Sequence, residues 1–150
     1  MTTTILRAPW TPGPDLPRES GTGPVWISLT EFTADHHVRA LGVAVNGLRL
    51  RRRWPATTGS VGMWLWAEPA RRRSGSLSVW SGSRPLLDFV RRPDHVRIVR
   101  AYRDHGTMRA TVWRADRFDA AVVWSTARAL LIGTTPWPAS APPVARSEEP

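Results

Sequence analysis

Cysteine is absent from all 150 residues, which removes disulfides, thiolate nucleophiles and cysteine-ligated zinc or iron–sulfur centres together. Lysine is absent too. The 21 basic residues are all arginine, and against 12 acidic residues they give a formal net charge of +9. Nowhere do about 18 apolar residues run together, and the opening stretch lacks the uninterrupted apolar core of a secretory signal. Neither membrane spanning nor export is therefore expected, and the cytoplasm is the default location. No glycine-rich nucleotide-binding motif and no Gly-x-Ser-x-Gly elbow occurs. His-x-x-x-His, Glu-x-x-His and paired-carboxylate spacings are missing as well, which leaves little support for a two-ligand non-haem metal site.

What remains suits one domain with a modest core. Residues 1–23 hold Pro9, Pro12, Pro14 and Pro17, and residues 133–150 hold Pro136, Pro138, Pro142, Pro143 and Pro150. Both read as proline-rich tails, disordered or laid along the surface and anchored locally by Trp10 and Trp137. The folded unit is then residues 24–132.

Four stretches inside it alternate as strands do. Val25, Ile27 and Leu29 oppose Trp26, Ser28 and Thr30; Val61, Met63 and Leu65 oppose Trp64 and Trp66. Leu77 and Val79 oppose Ser76, Ser78 and Trp80, and Met108, Ala110 and Val112 oppose Thr107, Arg109, Thr111 and Trp113. Successive side chains of a strand point to opposite faces. The pattern predicts one sheet with an aliphatic face and a second face of indoles, hydroxyls and one guanidinium, the latter a binding cavity or a wet interface.

Between the strands, Asp35 is a candidate cap for a helix whose inward stripe is Val38, Leu41, Val45 and Leu48, ending at Pro55. Ser83 caps a short helical turn over residues 86–90. Pro93 starts a helix running to His105 with Gly106 beyond it, and Asp116 opens a last helix carrying Phe118, Val122 and Leu130. The order β-α-β-β-α-β plus a terminal helix is the α+β, ferredoxin-like sandwich, with two helices on one face of a four-stranded antiparallel sheet. That architecture leaves the other face bare in a monomer, which predicts a homodimer.

His95 is the leading candidate for chemistry. At about 100° per residue it shares the inward face of its helix with Ile98, Val99 and Tyr102, while Arg97, Arg100 and Asp104 lie opposite. An inward imidazole needs a metal or haem iron, a substrate proton or a backbone carbonyl as partner. His36 and His37 are adjacent and diverge, and His105 sits at a helix C-terminus, where positive charge is favourable. Arg109 is phased with the tryptophans. It either holds an acidic ligand or pairs with a partner such as Glu31 or a residue across the dimer. Trp26, Trp64, Trp66, Trp80 and Trp113 offer surfaces for a planar ligand or an interface, and Asn46 falls on the polar side of its helix. The runs Arg51–Arg53, Arg71–Arg73 and Arg91–Arg92 read as solvated charges flanking elements.

The segment from Ser78 to His95, S-V-W-S-G-S-R-P-L-L-D-F-V-R-R-P-D-H, resembles the dimeric α/β-barrel monooxygenase-like proteins. It is similar to the antibiotic-biosynthesis monooxygenase type and to spheroidene monooxygenase-like uncharacterised domains. The shared features are a strand ending in Trp80, a short helix carrying Phe89 and the Pro93-x-His95 start. The resemblance implies a homodimer of secondary metabolism with a cavity between sheet and helices, acting either without a cofactor or with haem. His95 would line the cavity as axial ligand or proton acceptor. In the haem-degrading branch the iron-binding histidine stands one turn on, where this chain has Val99.

Three readings follow. The first is a monooxygenase-type oxidoreductase, with His95 and Arg109 catalytic and Trp26, Trp64, Trp66, Trp80, Phe89, Tyr102 and Trp113 around a hydrophobic or aromatic metabolite. The second is a non-catalytic ligand-binding or accessory homodimer, and the third and weakest is a nucleic-acid binder working through the arginine runs.

Overall fold

The computed structural model describes residues 4–138. The chain opens with two short strands, β1 Leu6–Arg7 and β2 Thr11–Pro12, and one helical turn, α1 Leu16–Glu19. Strand β3 Val25–Ala34 leads to helix α2 His37–Arg52, then to β4 Ser60–Glu68 and β5 Arg73–Trp80. Helices α3 Ser83–Val90 and α4 Pro93–Tyr102 precede β6 Gly106–Ala115, and α5 Ala120–Ile132 follows it.

The sheet runs β1-β4-β5-β3-β6 with every pairing antiparallel, and β2 also pairs with β4. Its four long strands with α2, α3 and α4 make the ferredoxin-like βαββαβ unit expected from the order of elements.

Several local expectations need correction. Residues 4–23 build ladders despite their prolines, because β1 and β2 lie on the edge of β4 and tolerate the missing N–H of Pro12 there. Trp10 anchors this segment 4.4 Å from Trp64 and stacked on Phe118 at 5.0 Å. Helix α2 starts from His36 rather than Asp35, and α3 from Gly82 rather than Ser83, neither with a side-chain cap. Helix α4 stops at Tyr102, and Gly106 is extended and begins β6. Asp119, not Asp116, caps α5 by accepting a hydrogen bond from the Val122 N–H at 3.2 Å.

The larger correction concerns α2. Val38, Leu41, Val45 and Leu48 point outward, at 79, 66, 41 and 47% exposure, and Val43, Gly47 and Leu50 face the sheet instead. Nor is the second face of the sheet bare. Helix α5 packs Val123, Ala127, Leu130 and Leu131 against Val25, Ile27, Leu29, Leu77 and Val79. The surface on which a second sheet would pack is thus covered by the chain's own helix.

Candidate functional site

Register decides what each face of the sheet carries. Trp64 pairs with Leu77, Trp66 with Gly75 and Trp113 with Ile27, so these three indoles share the α5 face with the aliphatic residues of β3 and β5. Met63 pairs with Ser78, Leu65 with Ser76, Ala110 with Thr30 and Val112 with Ser28 on the opposite face, beside Trp26 and Trp80. The expected single face of five tryptophans therefore does not exist. Alternation holds within the strands except at the bulge between Ser60 and Gly62, which puts Val61 in the α5 core and parts it from Met63 and Leu65, and β4 and β6 are set against β3 and β5 so that aliphatic meets polar across the ladder.

The face under α2, α3 and α4 encloses a cavity of about 730 Å³. Its floor has a polar centre, since the middle strands β3 and β5 supply Ser28, Thr30, Ser76 and Ser78, and apolar margins, since β4 and β6 supply Met63, Leu65, Met108, Ala110 and Val112. The hydroxyls are partly committed to one another: Thr30 Oγ1 and Ser76 Oγ are 2.9 Å apart, and Trp80 Nε1 donates to Ser78 Oγ at 2.9 Å. The roof comes from Val43, Gly47 and Leu50 of α2, Leu86, Leu87 and Phe89 of α3, and His95, Ile98, Val99 and Tyr102 of α4. Such a volume, largely apolar with a few placed polar groups, is the usual form of a small-molecule site.

One end is closed by rings. Trp54, in the 3₁₀ turn after α2, meets Trp80 and Phe89 at 5.1 Å each, nearly edge-on, and Phe89 meets the His95 ring at 5.0 Å. His95 Nδ1 lies 3.2 Å from the Val90 carbonyl oxygen. A carbonyl only accepts, so Nδ1 is the donor in this contact.

Two turns along α4, Tyr102 stands at the other end of the roof. Asn46 Nδ2 donates to Tyr102 Oη at 3.0 Å and to the Gly42 carbonyl at 3.0 Å. The missing side chain of Gly42 lets the phenol approach the helix, because a Cβ there would sit within 2.6 Å of Tyr102 Oη. Asn46, expected on the polar side, thus joins α2 to α4. The sequence carried only a faint signal for it: asparagine amid apolar and small residues, with Gly42 one turn before.

Of the residues singled out from sequence, the structure brings His95, Phe89 and Tyr102 to the cavity wall. Trp80 joins the ring cluster beside it, and Trp26 packs with that cluster. Trp64 and Trp113 belong to the α5 core. Trp66 also packs there, and it crosses Gly75 to donate its Nε1–H to the Thr30 carbonyl at 3.2 Å while still touching the cavity.

Arg109 lies on the α5 face as well. Its Nε and Nη2 donate to the two oxygens of Glu31 at 3.0 Å each, and its guanidinium stacks 3.9 Å from the Trp137 ring. Glu31 also accepts from Arg73 Nη1 at 2.9 Å, and Arg73 Nε donates to Glu68 at 2.7 Å. Between the two alternatives for Arg109, the geometry is that of the Glu31 pair. The residues missed from sequence are Trp54 and Asn46, since neither sits in a strand pattern or a recognised motif.

Haem is the cofactor that the fold resemblance raises. Among the described residues His95 is the one imidazole on the cavity wall, and an imidazole is the side chain there that could ligate a haem iron. Val99, also on the wall, has no ligating atom. Among the described residues no three His, Asp or Glu side chains group as a metal site.

No protein-family model matches the chain, and no curated protein sequence does. Solved structures do. A protein from Lactobacillus acidophilus NCFM described as a monooxygenase is similar at a TM-score of 0.52 and 9% identity, over 77% of this chain and 54% of that one. An uncharacterised ferredoxin-fold protein from Listeria monocytogenes 4b F2365, related to antibiotic-biosynthesis monooxygenases, gives 0.51 and 12% over 61% and 57%. The haem-degrading enzyme LmHde of Listeria monocytogenes gives 0.51 and 11% over 71% and 68%. The chain spans little more than half the length of the first two. At these identities the likeness is one of architecture alone, and the chain has a ferredoxin-like fold.

Proposed function

We propose that this protein is an oxidoreductase of the monooxygenase type that holds a hydrophobic or aromatic metabolite between its sheet and its helical layer. The carrying observation is the cavity of about 730 Å³ with a hydroxyl row along its floor and an imidazole at its wall. The structural neighbours, which include a haem-degrading enzyme and monooxygenase-like proteins, support the class of chemistry.

In this reading the apolar margins seat the carbon skeleton, and Ser28, Thr30, Ser76 and Ser78 orient its oxygens. The Trp54–Trp80–Phe89 rings keep water from the closed end, and His95 accepts a proton from an acidic hydroxyl of the substrate. Where haem is bound, the same imidazole would hold its iron, and the iron would supply the oxidising chemistry.

A second reading, a ligand-binding protein without turnover, is favoured by one feature. Among the described residues the one acidic residue lining the cavity, Glu31, turns its carboxylate to the α5 side, where two arginines hold it.

The test is an absorption spectrum of the protein before and after adding haem, together with oxygen uptake over a panel of polycyclic phenols, for the wild type and His95→Ala. A Soret band lost in the variant establishes histidine-ligated haem. Oxygen uptake without such a band, lost in the variant, establishes cofactor-free turnover. Ligand binding with neither signal supports the second reading.

A further inference from the structure

The outward stripe of α2 is the largest apolar feature that the cavity does not explain. Val38, Leu41, Val45 and Leu48 follow one another at spacings of three and four, so they form one continuous ridge. All four are exposed. The same helix carries no acidic residue, and Arg49 and Arg52 continue the ridge through its last turn, with Arg39 beside its start; all three are exposed. The surrounding helical layer, residues 35–53 and 83–105, holds eleven arginines against four aspartates. At its far end the ridge meets the cavity, because Leu48 both lines that space and reaches solvent, as does Leu6.

We infer that this face of α2 docks on an anionic lipid bilayer, with the four aliphatic side chains in the interface and the arginines against the headgroups. Three observations select a bilayer. A second copy of the helix would set Arg39, Arg49 and Arg52 against the same arginines with no carboxylate on either helix to neutralise them. A nucleic acid would match the charge and leave the aliphatic ridge in water. A surface that is apolar beneath and anionic above matches both features, as amphipathic basic helices do when they lie in the plane of a membrane. No helix among the described residues is long and apolar enough to cross a membrane, so the contact is peripheral. The apolar path over Leu48 and Leu6 then lets a lipophilic ligand enter the cavity from the lipid side. The inference stands whether or not the cavity carries out oxidation.

Co-sedimentation of the full chain with vesicles of phosphatidylcholine, alone and mixed with phosphatidylglycerol, tests it. The expected result is binding to the mixed vesicles that weakens with salt, little binding to phosphatidylcholine alone, and loss of binding in Leu41→Glu and in Val45→Glu. Arg49→Glu with Arg52→Glu should lower affinity by at least about fivefold per arginine on the mixed vesicles. Circular dichroism of each variant separates loss of binding from loss of fold. Absence of binding at low salt, or binding indifferent to the glutamates, overturns the inference. So does a wild-type dimer in light scattering that Leu41→Glu splits into monomers, since the ridge would then be a self-interface.

Discussion

Under α5 the sheet buries Val25, Ile27, Leu29, Leu77 and Val79 completely and closes over them with Val123, Ala127, Leu130 and Leu131. Under α2 and α4 the same strands face about 730 Å³ of open space, and α2 contributes no fully buried residue to the layer above it. The two sides draw on the same residue types, indoles, aliphatics and hydroxyls, yet one is filled and the other hollow. The difference lies in the helices. Helix α5 brings side chains large enough to reach the sheet, whereas α2 turns Gly42, Val43, Gly47 and Leu50 inward and Val38, Leu41, Val45 and Leu48 outward. One face therefore holds the fold together and the other is available to a ligand.

The sharpest break of that comparison is at the buried charges on the α5 side. Glu31 is 8% exposed in its side chain and joins Arg73, at 11%, to Arg109, at 45%. Glu31→Ala leaves Arg73 only Glu68 as a carboxylate partner among the described residues, beside the Leu131 carbonyl, and is expected to cost about 3–5 kcal/mol of stability, read from urea unfolding, while cavity binding survives in the fraction that folds. Leu131→Ala, on the same side, should cost about 2–5 kcal/mol and likewise leave binding intact.

Across the sheet the pattern inverts. His95→Ala should lower any turnover by about 10²- to 10⁴-fold with little change in unfolding midpoint, because the ring sits at the wall of open space rather than in packed core. Tyr102→Phe removes the acceptor of the Asn46 bond between α2 and α4 and should cost about 0.5–1.5 kcal/mol; Asn46→Ala should match it, with no further loss in the double variant. The smallest effect is at Leu41→Glu, expected within about 0.5 kcal/mol of wild type in urea unfolding, since that side chain is mostly in solvent.

Much of this is legible in the sequence. Alternation over residues 25–30, 61–66, 76–80 and 107–113 located the four strands, and helical phasing put His95, Ile98, Val99 and Tyr102 on one wall. What misled was the step from strand to sheet. Parity within a strand says which residues share a face of that strand; which face of the next strand they meet is set by cross-strand register, and here Trp64 stands opposite Leu77 and Trp113 opposite Ile27. Trp64 and Trp113 accordingly lie with the aliphatic residues.

The stripe of α2 misled for a different reason. Amphipathic reading assumes that the apolar side of a helix faces the core, and a helix roofing a cavity with small residues does not obey it. Arg109 was ambiguous because a guanidinium in a strand can serve a ligand or a neighbour, and only the position of Glu31 one strand away decides.

The central claim is that ligands lodge between the helices and the hydroxyl row, not beneath α5. The direct test is titration with a neutral naphthylamine fluorophore, comparing wild type with Ser76→Phe, which places a ring in the middle of the cavity floor, both in the Leu41→Glu background to silence the outer ridge. The account predicts saturable binding to the unfilled protein that weakens at least about tenfold on filling, with the fold retained. Equal affinity in the two proteins would contradict it and move the ligand site elsewhere on the molecule.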